Sequence, residues 1–202
     1  MTNFPIVLQI VGMMVVVLFV VLVTHEAGHV IMARGFGSKL RQVWIGIPLP
    51  PVKELMFRGV QIKISPWLLG AAVCLDLDWL RFWQLELVLL AGVGMNLLLA
   101  GICVLIGGGE LVVFGKGFVD VLVEVVWKGT INEAMFVTIG EYLRGHLWLG
   151  ILYVASLMVA GVNLMPFPGN DGWNCLVVLV EKGLFKLKAN TERIFILLPK
   201  VN

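Results

Sequence analysis

The chain has 202 residues, 59% of them hydrophobic and only 14% charged, and its mean hydropathy is +0.97. Soluble domains carry charge on about a quarter of their residues, so this deficit places the chain in a membrane. A net charge of +2, with no basic cluster interleaved with aromatics, excludes nucleic acid as a partner. Three scattered cysteines, Cys74, Cys103 and Cys175, exclude a disulfide framework or a cysteine zinc site.

The first long apolar run, Ile6 to Val23, keeps its character to about Ala33. As a helix it is long enough to cross a hydrocarbon core of about 30 Å. It does not read as a convincing signal peptide, because it lacks a basic start and runs into His25 rather than a small-residue cleavage site. Residues 37–78 differ, with Pro48, Pro50, Pro51 and Pro66 and a stretch where Val60, Ile62 and Ile64 alternate with Gln61, Lys63 and Ser65. That period of two, flanked by Gly59 and Pro66, predicts a strand in a short hairpin at the membrane surface. A second span is predicted from about Phe82 to Gly107. Residues 108–145 read as interfacial, with Asp120, Glu124 and Lys128 making one polar stripe on an apolar helix. A third span runs from about Leu147 to Met165, and residues 191–202 read as the start of an incomplete last helix. The expected fold is therefore an α-helical membrane protein with about three full transmembrane helices and a small membrane-associated β element. Residues 1–202 form a single domain in this reading.

Orientation follows from basic residues. Lys39, Arg41, Lys53, Arg58, Lys63 and Arg81 mark the first connection, and Lys182, Lys186, Lys188, Arg193 and Lys200 mark the tail. The connection between the second and third spans carries fewer: Lys116, Lys128 and Arg144. The positive-inside rule puts the first two segments in the cytoplasm and the middle connection outside.

Near the predicted cytoplasmic end of the first span stands His25-Glu26-Ala27-Gly28-His29. Positions i and i+4 share a helix face, so both imidazoles can reach one metal ion. In such HExxH sites the glutamate takes a proton from the attacking water and later delivers it to the leaving amine. Zinc suits this chemistry as a Lewis acid. An ionisable side chain at the centre of a spanning helix costs about 2.5–3.5 kcal/mol, so three in five residues are a liability unless they bind something.

A catalytic zinc site needs a third protein ligand. His146 is predicted at the opposite end of the third span, as an interfacial residue. Asp171 is the better candidate, in Asn163-Leu164-Met165-Pro166-Phe167-Pro168-Gly169-Asn170-Asp171-Gly172. Two prolines there unwind the helix, and irregular backbone at that depth survives only when buried in protein or lining a wet cavity.

HExxH in one span and Asn-x-x-Pro-x-Pro-x-x-Asp-Gly at the end of a later one resembles the site-2 protease family of intramembrane zinc metalloproteases. Gly92-Val93-Gly94-Met95-Asn96 in the second span is similar to that family's Gly-x-x-x-Asn segment. The resemblance implies one zinc per chain held by His25, His29 and Asp171, with Glu26 as general base. It further implies that Asn163 and Asn96 contact the substrate backbone or the developing oxyanion. For Asn96 the residues alone allow a second reading, an interhelical hydrogen bond beside a Gly92 that permits close packing. The implied substrates are transmembrane segments of membrane proteins, cut in the bilayer of a prokaryotic cell with the active site toward the cytoplasm. The chain departs from the family at Asn170 and Trp173, and a bulky Trp173 could narrow the cleft. No stretch resembles a PDZ or CBS domain, so regulation by such modules is not expected. The rivals are a catalytically silent zinc-binding relative and a membrane metal carrier; the lack of internal repeats argues against the carrier.

Overall fold

Three helices carry the long apolar runs. The computed structural model describes residues 4–46, 53–65, 70–128 and 133–180, with the backbone alone over stretches such as 133–146. The prolines at 48, 50, 51 and 66, the last segment 191–202 and the His146 side chain lie outside the described residues.

Helix α1 (Phe4–Gly35) contains the first apolar run. It stops where Gly37 takes a positive φ of 84°. The Gly37 N–H then donates to Arg34 O and the Ser38 N–H to Ala33 O, both at 2.9 Å, which satisfies carbonyls that a helix end leaves open. Helix α2 (Phe82–Gly107) matches the predicted second span and ends at Gly108. Helix α3 (Gly109–Lys128) is the amphipathic segment, and α4 (Glu133–Leu164) contains the third span in its second half. A short α5 (Asp171–Val178) follows the proline turn. The membrane-crossing candidates are Val11–Gly35, Phe82–Gly107 and Leu147–Leu164 among the described residues, so the three-span architecture holds. α4 begins well before the expected third span because a helix is not confined to its apolar part; its charged first half had read as interfacial.

α2 packs between α1 and α4. Met13, Val17 and Val21 of α1 meet Leu99 of α2 and Ile151 and Ala155 of α4. Lower in the bundle, Ala33, Leu85, Val88 and Leu89 close over Val178 of α5. Gly28 sits so near the Ala91 carbonyl that a β-carbon there has no room, which lets α1 and α2 approach closely at the level of the motif. Outward-facing residues stay apolar, with Leu105 at 86% exposed, as lipid requires.

The β element is larger than the predicted hairpin. Strands β1 (Leu40–Ile45), β2 (Lys53–Phe57), β3 (Val60–Ile64) and β4 (Ala71–Leu75) form one sheet in the order β2-β3-β1-β4. β2 and β3 are a hairpin closed by Arg58 and Gly59, both at positive φ, as a two-residue primed turn requires. β1 pairs with β3 in parallel and with β4 antiparallel. β3 is thus an interior strand with both edges paired, and the edge nearest the helices belongs to β4. All five β3 residues are half-buried instead of alternating, because its polar face covers itself. Lys63 lies 4.9 Å from the centre of the Trp44 ring and 3.7 Å from Glu54, and Gln61 donates to Glu54 at 3.1 Å.

Candidate metal centre

His25 and His29 lie one turn apart on the face of α1 that meets α2, and both are buried. Asp171 reaches them from the first turn of α5 and is also buried, at 4% exposed. Its position depends on the turn that Pro166 and Pro168 start. Asn170 anchors that turn by donating its side-chain amide at 2.6 Å to Val162 O, which also accepts from the Met165 N–H at 3.1 Å. Gly172 completes it, since a β-carbon there would run into the Leu164 carbonyl.

The result is a triangle of donor atoms. His25 Nε2 is 3.0 Å and His29 Nε2 3.4 Å from Asp171 Oδ2, and the two ring nitrogens are 3.2 Å apart. Ligands ~2.0–2.1 Å from a tetrahedral zinc are ~3.3 Å apart, so these edges match one face of such a site. The chemistry of the donors agrees. His29 Nδ1 donates to the Val88 carbonyl at 2.7 Å, so the neutral ring turns a lone pair on Nε2 toward Asp171 Oδ2. Burial opposes charge on Asp171, but the imidazoles of His25 and His29 beside it outweigh this and hold its carboxyl below the usual range. Two imidazole nitrogens and an ionised carboxylate are a donor set that zinc takes, with a fourth position left for chemistry.

Glu26 points from the same turn toward the sheet. Its carboxylate accepts from the Val73 backbone N–H on β4 and interacts electrostatically with His29 and Asp171. Its Oε2 is buried without a hydrogen-bond partner. A cavity of about 360 Å³ opens here between α1 and strands β1 and β4, with Glu26, Val30, Val43, Ala72 and Val73 on its wall.

The structure therefore gathers His25, His29, Asp171 and Glu26 in one place. Asn96 joins them from α2: fully buried, its side-chain nitrogen lies 3.2 Å from His25 Nδ1. Asn163 is in the last turn of α4, half-buried, and its amide donates to Val159 O at 3.0 Å within its own helix. Trp173 is 37% exposed. Sequence reasoning missed three supporting positions: the Val88 carbonyl, the Val73 N–H and the clearance at Gly92, where a β-carbon would collide with both imidazoles. Val88, Gly92 and Asn96 recur every four residues, so their shared helix face was a signal for the first and third. Nothing in the sequence marks a backbone donor such as Val73.

Apolar helices closed around two histidines and an aspartate, with a glutamate at the mouth of a cleft, define the class of membrane metallopeptidases. Residues 13–198 match peptidase family M50, the site-2 protease family, and the chain belongs to it. It is also similar to a protein of Mycolicibacterium smegmatis named "Putative zinc metalloprotease Rip2", with 30% identity over 159 residues. That match covers 75% of this chain and 51% of the relative, so the chain spans about half the relative's length.

Proposed function

We propose that this protein is a zinc-dependent endopeptidase that hydrolyses peptide bonds in transmembrane segments of membrane proteins. The buried triangle of His25 Nε2, His29 Nε2 and Asp171 Oδ2 beside Glu26 carries the reading. Zinc held there supplies Lewis acidity to polarise a peptide carbonyl and acidify water. Glu26, with one carboxylate oxygen unpartnered at the cleft, accepts the proton of the attacking water and returns it to the leaving amine. Asn163, at the end of α4, is assigned to the substrate backbone or the oxyanion on the family pattern.

Two observations support a cut inside the bilayer. Phe36 and Trp83 stack edge to face, and Trp79 and Trp83 are exposed beside them, as in the aromatic belts at membrane surfaces. From Phe36 back to His25, α1 rises ~16 Å at ~1.5 Å per residue, about half of a hydrocarbon core. The basic first connection puts that belt on the cytoplasmic face. β4 offers the substrate a place: its outer edge pairs with no strand among the described residues and borders Glu26 through Val73. An unfolded stretch of substrate added there as a strand would present its carbonyls beside the metal centre.

The test is metal analysis of the purified full chain together with cleavage of a panel of transmembrane peptides in detergent or vesicles. One zinc per chain and cleavage abolished by chelator are expected. A chain that cuts equally well after full removal of zinc would overturn the reading.

A further inference from the structure

The cleft beside Glu26 is long and narrow. Its wall on α1 is the stripe Phe19, Val23, Ala27 and Val30, which recurs every third or fourth residue and so faces one way. Ile31 lies at the end nearer the aromatic belt. From Phe19 to Ile31 the helix rises ~18 Å at ~1.5 Å per residue. The cleft holds about 360 Å³, whereas a helix ~10–12 Å across fills ~1,400 Å³ or more in that length. There is no room for a helix, so what enters is part of an extended chain.

Glu26 divides the cleft into two arms. Its carboxylate meets the Val73 N–H on β4, and Leu75, two residues further on, packs with Met32 and Ala33 of α1. β4 therefore runs alongside α1 in the same direction, and Ala71 stands level with Phe19 and Val23. On β1, Ile45 pairs with Ala71 and Val43 with Val73, so these four side chains share one face of the sheet. All four line the cleft. The arm on the side of Glu26 away from the belt is thus walled by Phe19, Val23, Ile45 and Ala71. Val73 fills its own position and is buried, whereas Ala71 presents only a methyl and leaves the arm open. Glu26 is the one charged side chain among the lining residues.

We propose that this arm is a specificity subsite, which takes one bulky apolar side chain of the substrate about two residues from the bond cut. The proposal deepens the protease reading above and rests on it. A substrate strand added to the outer edge of β4 sets one residue opposite Ala71, on the same face, with its β-carbon ~4.5–5.5 Å away. The side chain of that residue passes over the alanine into the arm. Two residues along, or ~7 Å, the strand lies opposite Val73 and beside Glu26, where the bond is cut. A leucine or phenylalanine at the first position buries apolar surface that an alanine leaves unmatched. Even one methylene in such a pocket discriminates by about tenfold or more in kcat/KM.

Two readouts on the full chain in detergent test this. The first uses transmembrane peptides whose cut is mapped by mass spectrometry. They carry leucine, phenylalanine or alanine two residues from the cut, on the side away from the cytoplasm. The native chain is expected to cut the first two at least tenfold better than the third. Ala71→Leu puts its own side chain into the arm and should bring that ratio within about twofold. Phe19→Ala widens the arm and should move the preference from leucine toward phenylalanine. Zinc content and circular dichroism show that each variant is folded. Ratios left unchanged by both folded variants overturn the proposal, as does an equal loss on all three peptides. The second readout needs no cleavage: photo-leucine is walked along a peptide bound to the Glu26→Gln chain. Capture at Phe19, Val23 or Ala71 is expected from one position and should disappear in Ala71→Leu. No capture there from any position overturns the subsite even if the native chain cuts. A native chain that cuts nothing, or cuts equally well without zinc, fails the protease reading instead, and the capture pattern still decides the subsite.

Discussion

Gly92 lies directly against His29: a β-carbon on Gly92 would overlap the imidazole Nε2 and come within 2.7 Å of His25 as well. The glycine is therefore there for the histidines at least as much as for helix packing. Gly92→Ala should push both rings away from Asp171, at an overpacking cost of about 1–3 kcal/mol. Zinc content by mass spectrometry is expected to fall at least tenfold. Gly94→Ala, at a position with nothing within 4 Å, is the matched control and should keep its zinc. A Gly92→Ala protein with native zinc content would show that the rings have another way to fit.

Glu26→Gln separates chemistry from metal binding. The amide keeps an oxygen to accept from the Val73 N–H but cannot take a proton from water. Zinc should stay at one per chain while the cleavage rate drops by about 10²–10⁴-fold. A variant that cuts within tenfold of native would move the base elsewhere.

The motif pair was legible because its chemistry is local. His25 and His29 need only helical spacing, and Asp171 needs only a proline turn at the same depth. The sheet was legible in part. Val60 to Ile64 alternates strongly and gave one hairpin, whereas Ala71-Ala72-Val73-Cys74-Leu75 has no period and reads as nothing in particular. Its strand character comes from pairing with β1, a partner some thirty residues away, which local pattern does not carry. Val88 and Gly92 share a helix face with Asn96, which local pattern does carry, but their roles exist only once α1 and α2 touch.

Cys175 reports on how α5 docks. Burial pushes its thiol up to about 12, and the Glu86 carboxylate adds to this by its charge and by accepting the S–H. A raised thiol pKa means less thiolate at any working pH, so iodoacetamide at pH 8 should react with Cys175 far more slowly than with a free cysteine of pKa about 8.5. Glu86→Gln removes the negative neighbour, lowers the thiol pKa and should raise the rate several-fold at pH 9. An unchanged rate would mean that access alone, and not charge, protects the thiol.

Sidedness can be read by single cysteines in a cysteine-free background. Positions near Lys53 and Lys186 should react with an impermeant maleimide only from the cytoplasmic side, and a position near Lys128 only from outside. Labelling of the Lys53 and Lys128 positions from one side would overturn the three-span arrangement.

How a helix comes to be cut turns on which strand edge is free. A helical substrate hides its carbonyls in its own hydrogen bonds, so some surface must hold it extended before water can attack. The alternation of residues 60–64 suggests β3 for that task, but β3 lies between β2 and β1 with both edges paired. β4 is the strand whose outer edge faces the cleft, and the Val73 N–H already meets Glu26 there. That N–H points away from the β1 ladder, so proline at 73 removes a donor from the edge without breaking a sheet bond. Val73→Pro should lower cleavage about tenfold or more with zinc unchanged. Ile62→Pro, by contrast, breaks an interior strand and should destabilise the sheet itself. A photo-crosslinker at Ala72 should capture substrate, and one at Met56 on the opposite edge strand should not. Glycine or proline placed in the substrate near the cut should speed the native enzyme and partly rescue Val73→Pro, because less helix then has to be undone. Equal capture from Met56, or native cleavage by a folded Val73→Pro chain, would remove β4 as the strand that holds the substrate.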